Sequence, residues 1–122
     1  MLLMLMSVLF VSIAFGMAAT AVAGEKTMTM EGYIIDTKCA TDNKAKLDEF
    51  VKTHPKECAM APDCHKIGYN LYSEGKLWKF DKKSSEKVYD FLKKSNSKLN
   101  VKIEMVHEKG DMIKLVSIKN AM

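Results

Sequence analysis

Between Thr37 and Lys66 the chain gathers all three of its cysteines (Cys39, Cys58, Cys64), two of its three histidines (His54, His65) and both prolines (Pro55, Pro62). Thiolate, imidazole and thioether groups are the ligands that suit copper(I) and zinc. Cys58, Met60, Cys64 and His65 fall within eight consecutive residues, and Cys39 and His54 are further candidates. Three sulfurs and a histidine would complete a tetrahedral zinc site, whereas two sulfurs, Met60 and a histidine would suit copper. Five residues separate Cys58 from Cys64, more than the roughly two to four of a zinc knuckle. The donor types therefore point to a soft metal, and the spacing names no known site.

The same sulfurs could bridge one another. Three cysteines allow three intramolecular pairings and leave one thiol over, which could also join two monomers. A bond from Cys39 to Cys58 or Cys64 is expected, because it would pin the far end of the segment. Closing a loop of about 20 residues would stabilise by about 3 kcal/mol in the chain-entropy model. Metal and disulfide compete for the same atoms.

Other chemistry is excluded position by position. Haem attachment needs Cys-x-x-Cys-His, and Ala61 stands where the first cysteine must be. No thioredoxin-type Cys-x-x-Cys, glycine-rich phosphate loop or His-Glu-x-x-His is present. A Cys–His nucleophile, with Cys64 activated by a nearby imidazole, stays open on residue types alone, but it would also need an oxyanion hole and a substrate pocket, which no pattern supplies. The expectation is a non-enzymatic protein. Of the histidines, His65 beside Cys64 is the better ligand. His54 is expected as a solvated cap at a helix C-terminus, and His107 as a hydrogen-bonded polar end of the core.

The first 23 residues carry no charged side chain and end in Ala21-Val22-Ala23, the small-residue pattern of a signal-peptidase site. Residues 1–23 are expected to be a cleaved export signal, leaving Gly24–Met122 to work in the periplasm or outside the cell, where disulfides persist. A retained membrane anchor is the alternative, and the Ala/Gly/Thr-rich end favours cleavage. All 19 basic residues are lysine and the formal net charge is +4. Without arginine, the bidentate reading of phosphate or guanine is missing. Scattered lysines read as a solvated surface rather than a nucleic-acid footprint.

About 99 residues form one domain. Thr27–Asp36 alternates as a strand, with Gly32 marking a bend or bulge. Asp42–Thr53 is expected to be helical and to stop at His54-Pro55. Ile67–Tyr72 and Lys76–Asp81 form a hairpin about Ser73-Glu74-Gly75. Ser84 would cap a helix over Ser85–Lys94, and strands follow at Leu99–His107 and Met112–Lys119. The order predicts a mainly β (α+β) fold: a five-stranded OB-like barrel with one helix between strands 3 and 4. Residues 37–66 then become a Cys/His-rich helical insertion between strands 1 and 2, bordering the face on which such barrels bind ligands.

Gly32-Tyr33-Ile34-Ile35-Asp36-Thr37-Lys38-Cys39, then His54 to Cys58 and Cys64, then Gly75-Lys76-Leu77-Trp78-Lys79-Phe80-Asp81 resembles a group of small, largely uncharacterised exported bacterial proteins. They share a G-x-x-x-D-x-x-C start, a later cysteine cluster and a G-K-aromatic strand. The resemblance implies export and an OB-like barrel, and no activity. The sequence thus predicts a small exported domain with a copper or zinc site at Cys39, Cys58, Cys64 and His65, with His54 and Met60 secondary. The alternative is a binding module for an anionic or carbohydrate ligand, with structural cysteines and Tyr72 and Trp78 as a stacking platform.

Overall fold

The computed structural model describes residues 26–122, so the expected export signal lies outside the described residues. Five strands, β1 (Thr27–Asp36), β2 (Tyr69–Ser73), β3 (Lys76–Phe80), β4 (Asn100–His107) and β5 (Met112–Asn120), close into a barrel in the order β1-β2-β3-β5-β4. Neighbours are antiparallel except β3 and β5, which run parallel through Lys79↔Met112 and Phe80↔Ile113. The hydrogen-bonded ring closes where β4 meets β1.

β1 holds the barrel together because it serves two partners. Its first part pairs with β4 from Thr27↔Val106 to Tyr33↔Asn100, and its end pairs with β2 from Tyr33↔Tyr72 to Asp36↔Tyr69. The change of partner comes just after Gly32. A Cβ there would lie 2.2 Å from the Tyr72 carbonyl oxygen, so only glycine lets the two backbones cross.

Alternation along β1 then divides its side chains between two cores. Ile34 enters the barrel interior with Tyr69, Leu71, Phe80, Val101, Ile103, Met105, Ile113 and Leu115. Ile35 points the other way and is fully buried with Ala40 and Val51, against Tyr33, Leu47, Phe50 and Tyr72. The insertion exists in this position because the outer face of β1 is apolar and must be covered.

The insertion is not the single helix expected over Asp42–Thr53. It comprises α1 (Thr37–Asp42), a 3-10 turn at Lys44–Lys46, α2 (Leu47–Thr53), α3 (Lys56–Ala59) and α4 (Pro62–Ile67). Asp36 caps α1 through its carboxylate, which starts a helix earlier than apolar periodicity signals. Asn43 ends α1, bonding the Cys39 carbonyl through both backbone and side chain. His54-Pro55 stops α2 as the sequence predicts.

β2 begins at Tyr69 rather than Ile67, because Gly68 closes α4 in a left-handed conformation (φ 109°) and Ile67 stays exposed. The Gly68 carbonyl in turn accepts hydrogen bonds from the Thr37 backbone N–H (3.1 Å) and hydroxyl (3.3 Å), tying the insertion's two ends together.

Between β3 and β4, α5 (Lys82–Leu92) seals the barrel with Val88, Phe91 and Leu92. Its cap is Asp81, not Ser84: the Asp81 carboxylate accepts from the Ser84 N–H at 2.8 Å. The buried Ser84 hydroxyl instead accepts from the Leu115 N–H at 2.7 Å. The insertion reaches this helix too. Lys56 on α3 donates to the carbonyls of Lys94 (3.0 Å) and Ser97 (3.1 Å) beyond its C-terminus, and the Tyr69 hydroxyl donates to the Ala59 carbonyl at 2.7 Å. Among the described residues, no helix is long and apolar enough to cross a membrane.

Gly32→Ala is expected to destabilise by about 1–3 kcal/mol, as overpacking against an immovable backbone does. Chemical denaturation would show this as a lower midpoint, and an unchanged midpoint would contradict the crossing described here.

Candidate metal centre

β1 runs straight into α1, so the last strand residue is also the helix cap. Asp36 takes that place with a fully buried side chain. One carboxylate oxygen, Oδ2, accepts from the Cys39 N–H at 2.8 Å, which fixes the carboxylate and sets Cys39 beside it. Cys64 arrives from α4, where it is the helix's buried residue. Ligand atoms of Asp36, Cys39 and Cys64 all lie within 4.8 Å of one another. Two sulfurs 25 positions apart in sequence thus meet at one carboxylate.

His54 approaches from the end of α2. Its side chain is 1% exposed, and Nε2 lies 3.5 Å from Asp36 Oδ1. That contact lacks hydrogen-bond geometry: Asp36 Oδ1 and both His54 ring nitrogens are buried without a hydrogen-bond partner. Phe50 lies against the ring, with centroids 4.9 Å apart. Each unsatisfied buried polar group costs about 1–3 kcal/mol, and among the described residues these three are the buried side-chain nitrogen and oxygen atoms without a partner.

Burial controls the protonation of the group. Burial first, and then hydrogen bonding and charge from Asp36, push the Cys39 thiol up to about 12. Cys64 is raised by the same causes in the same order, with Lys38 and Cys39 opposing. Burial lowers His54 below its ordinary value, and the attraction of Asp36 does not overcome it. The metal-free centre therefore presents two thiols and a neutral imidazole to a carboxylate. All three cysteines are unbridged, including the Cys39–Cys64 pair.

The remaining sequence candidates stand elsewhere. Cys58 is exposed on α3, and Met60 packs against the barrel core. His65 stacks on Tyr89 with centroids 3.6 Å apart and meets Glu86 at 3.3 Å. His54 is buried rather than a solvated cap, and His107, expected at the core's edge, is exposed and bonds the Gly110 carbonyl. Asp36 was not among the expected ligands. Its signal was its place three residues before Cys39, the spacing at which an N-cap carboxylate reaches a backbone N–H.

The aromatic platform is engaged within the molecule. The Tyr72 hydroxyl donates to Asp48. Lys76 lies 4.0 Å over the Trp78 ring, and His107 meets that ring edge-on. Compared with protein-family models, curated proteins and solved structures, the chain matches none.

In native, metal-free protein, the exposed Cys58 is expected to react rapidly with a thiol reagent near neutral pH, and Cys39 and Cys64 slowly, because both are covered and held as thiols. Denaturation should equalise all three. Three equally fast thiols in the native state would contradict the covering of half-buried Cys39 and buried Cys64.

Proposed function

We propose that this is a small exported, non-enzymatic protein whose insertion holds a zinc or copper ion at Asp36, Cys39 and Cys64. The observation that carries this reading is the convergence of those three ligand atoms within 4.8 Å. The chemistry of the donor set fits, since thiolates select zinc and copper and a carboxylate oxygen is a common zinc ligand. A cation would also satisfy the unpartnered Asp36 oxygen. The strand order, the parallel β3–β5 pair and the helix between β3 and β4 support an OB-like description of the barrel. Export rests on the uncharged, Ala-terminated residues 1–23.

The alternative, an anionic or carbohydrate ligand on the barrel, has weaker support. The open groove of about 400 Å³ between β1 and α2 carries Glu31, Asp48 and Glu74 among its lining residues, with Lys52 as its lysine. That lining disfavours an anion.

Native mass spectrometry of protein purified under reducing conditions, then offered zinc, tests the reading. One ion per chain is expected, lost on Cys39→Ser or Cys64→Ser and kept on Cys58→Ser. Absence of any bound ion, or equal loss in all three variants, would refute it.

Both site thiols are protonated in the metal-free state, so loading near neutral pH should release close to two protons per ion. Affinity should then fall as pH falls, which a weakly buffered titration with an indicator dye would read. Free zinc at a hundred times its Kd should raise stability by about 2.7 kcal/mol, measurable as a chelator-reversible rise in Tm.

A further inference from the structure

A carboxylate and two thiolates leave a tetrahedral ion one ligand short, and the fourth position decides what the site is. If water fills it, the ion is open to substrate; if a side chain fills it, the ion is closed and structural. The residue placed to do this is His54. It stands beside the cluster at Asp36 but outside the 4.8 Å grouping of Asp36, Cys39 and Cys64; its side chain is 1% exposed, and neither ring nitrogen has a hydrogen-bond partner. Nε2 stands 3.5 Å from Asp36 Oδ1. Two ligands with bonds of about 2.0–2.1 Å on a tetrahedral ion sit roughly 3.3–3.4 Å apart. Two buried, unpartnered atoms at nearly that spacing suit an ion shared between them, and a shift of the His54 ring toward the sulfurs would complete the set.

We infer that His54 is the fourth ligand, so that Asp36, Cys39, His54 and Cys64 form a closed tetrahedral site for a divalent ion of the zinc class. The inference rests on the reading of Asp36, Cys39 and Cys64 as a metal site, and it goes further by naming the ion and its role. Copper(I) prefers sulfur, and the thioether that would serve it, Met60, is packed against the barrel core. A set of two thiolates, one imidazole and one carboxylate oxygen suits zinc. Asp36 Oδ2 stays on the Cys39 N–H while Oδ1 turns to the ion, so the helix cap orients the ligand. His54 follows α2 and Cys64 lies on α4, whereas Asp36 ends β1. The ion therefore fastens both ends of the insertion to the strand they cover.

Cobalt(II) is the probe, because it takes zinc sites and its visible spectrum reports geometry and thiolate count. The full chain, reduced and metal-free, is titrated with cobalt(II) and then with zinc and copper(I). Intense tetrahedral d–d bands with two-thiolate charge transfer are expected, displaced by zinc. His54→Ala should weaken cobalt binding by about 100-fold or more and shift the d–d bands as a weaker ligand enters. His54→Cys should restore tetrahedral binding and raise the charge-transfer intensity by half; circular dichroism of each metal-free variant checks folding.

Two-thiolate binding with His54→Ala unchanged in spectrum and affinity would overturn the fourth-ligand inference and leave the three-ligand reading standing. So would copper(I) held more strongly than zinc by a margin that His54→Ala does not alter. No cobalt, zinc or copper(I) bound by the unaltered chain would remove both.

Discussion

A carboxylate removed from water must find compensation, and at Asp36 the fold is arranged around that requirement. The residue sits where β1 becomes α1, with its side chain fully buried. One oxygen is satisfied by the first turn of the helix that it caps. That bond costs nothing extra, since the helix N-terminus needs an acceptor there. The second oxygen has no hydrogen-bond partner and faces His54 at 3.5 Å. Replacing such a group with an apolar residue often leaves a protein as stable or more so. A buried, half-satisfied carboxylate is therefore poor evidence of a stability device and good evidence of a site.

The insertion is positioned by ordinary packing before any metal is considered. β1 presents apolar side chains on both faces, Ile34 to the barrel and Ile35 outward. Covering Ile35 brings α2 and its Val51 and Phe50 against the strand, and His54 follows at the end of that helix. Gly68 turns α4 back to Thr37 through two hydrogen bonds to its carbonyl, which places Cys64 at the mouth of α1. The two clusters thus share one strand, and the centre lies where that strand ends.

Much of this was legible in the sequence. Strand alternation locates all five strands to within a few residues, and Gly32 reads as a bend or bulge where the structure has a close backbone crossing with Tyr72. Treating residues 37–66 as one insertion also brings Cys39 to Cys58 or Cys64, and it is Cys64 that meets it while Cys58 stays exposed. Three things were hidden. Nearness in sequence grouped Cys58, Met60, Cys64 and His65, but consecutive residues on a helix point about 100° apart. With Cys64 facing inward, His65 turns toward Tyr89. Local reading makes His54 a solvent-facing cap, because the packing that buries it comes from a strand eighteen or more residues earlier. Asp36 was overlooked because a search for soft ligands passes over carboxylates. The capping rule that starts α1 would have placed it beside Cys39.

The ammonium of Lys56, bonded to carbonyls beyond the end of α5, bears on how the domain comes apart. Chain ends of helices fray first when their last carbonyls face only solvent. Here the Leu92 carbonyl accepts from the Ser97 hydroxyl, Lys56 holds the Lys94 and Ser97 carbonyls of the turn that follows, and Tyr69 grips Ala59 from the barrel side. Peeling the insertion away would strip the seal helix of its anchor at the same moment. Insertion and barrel are in that sense one cooperative unit, and hydrogen-exchange protection should be shared between them rather than graded from one to the other.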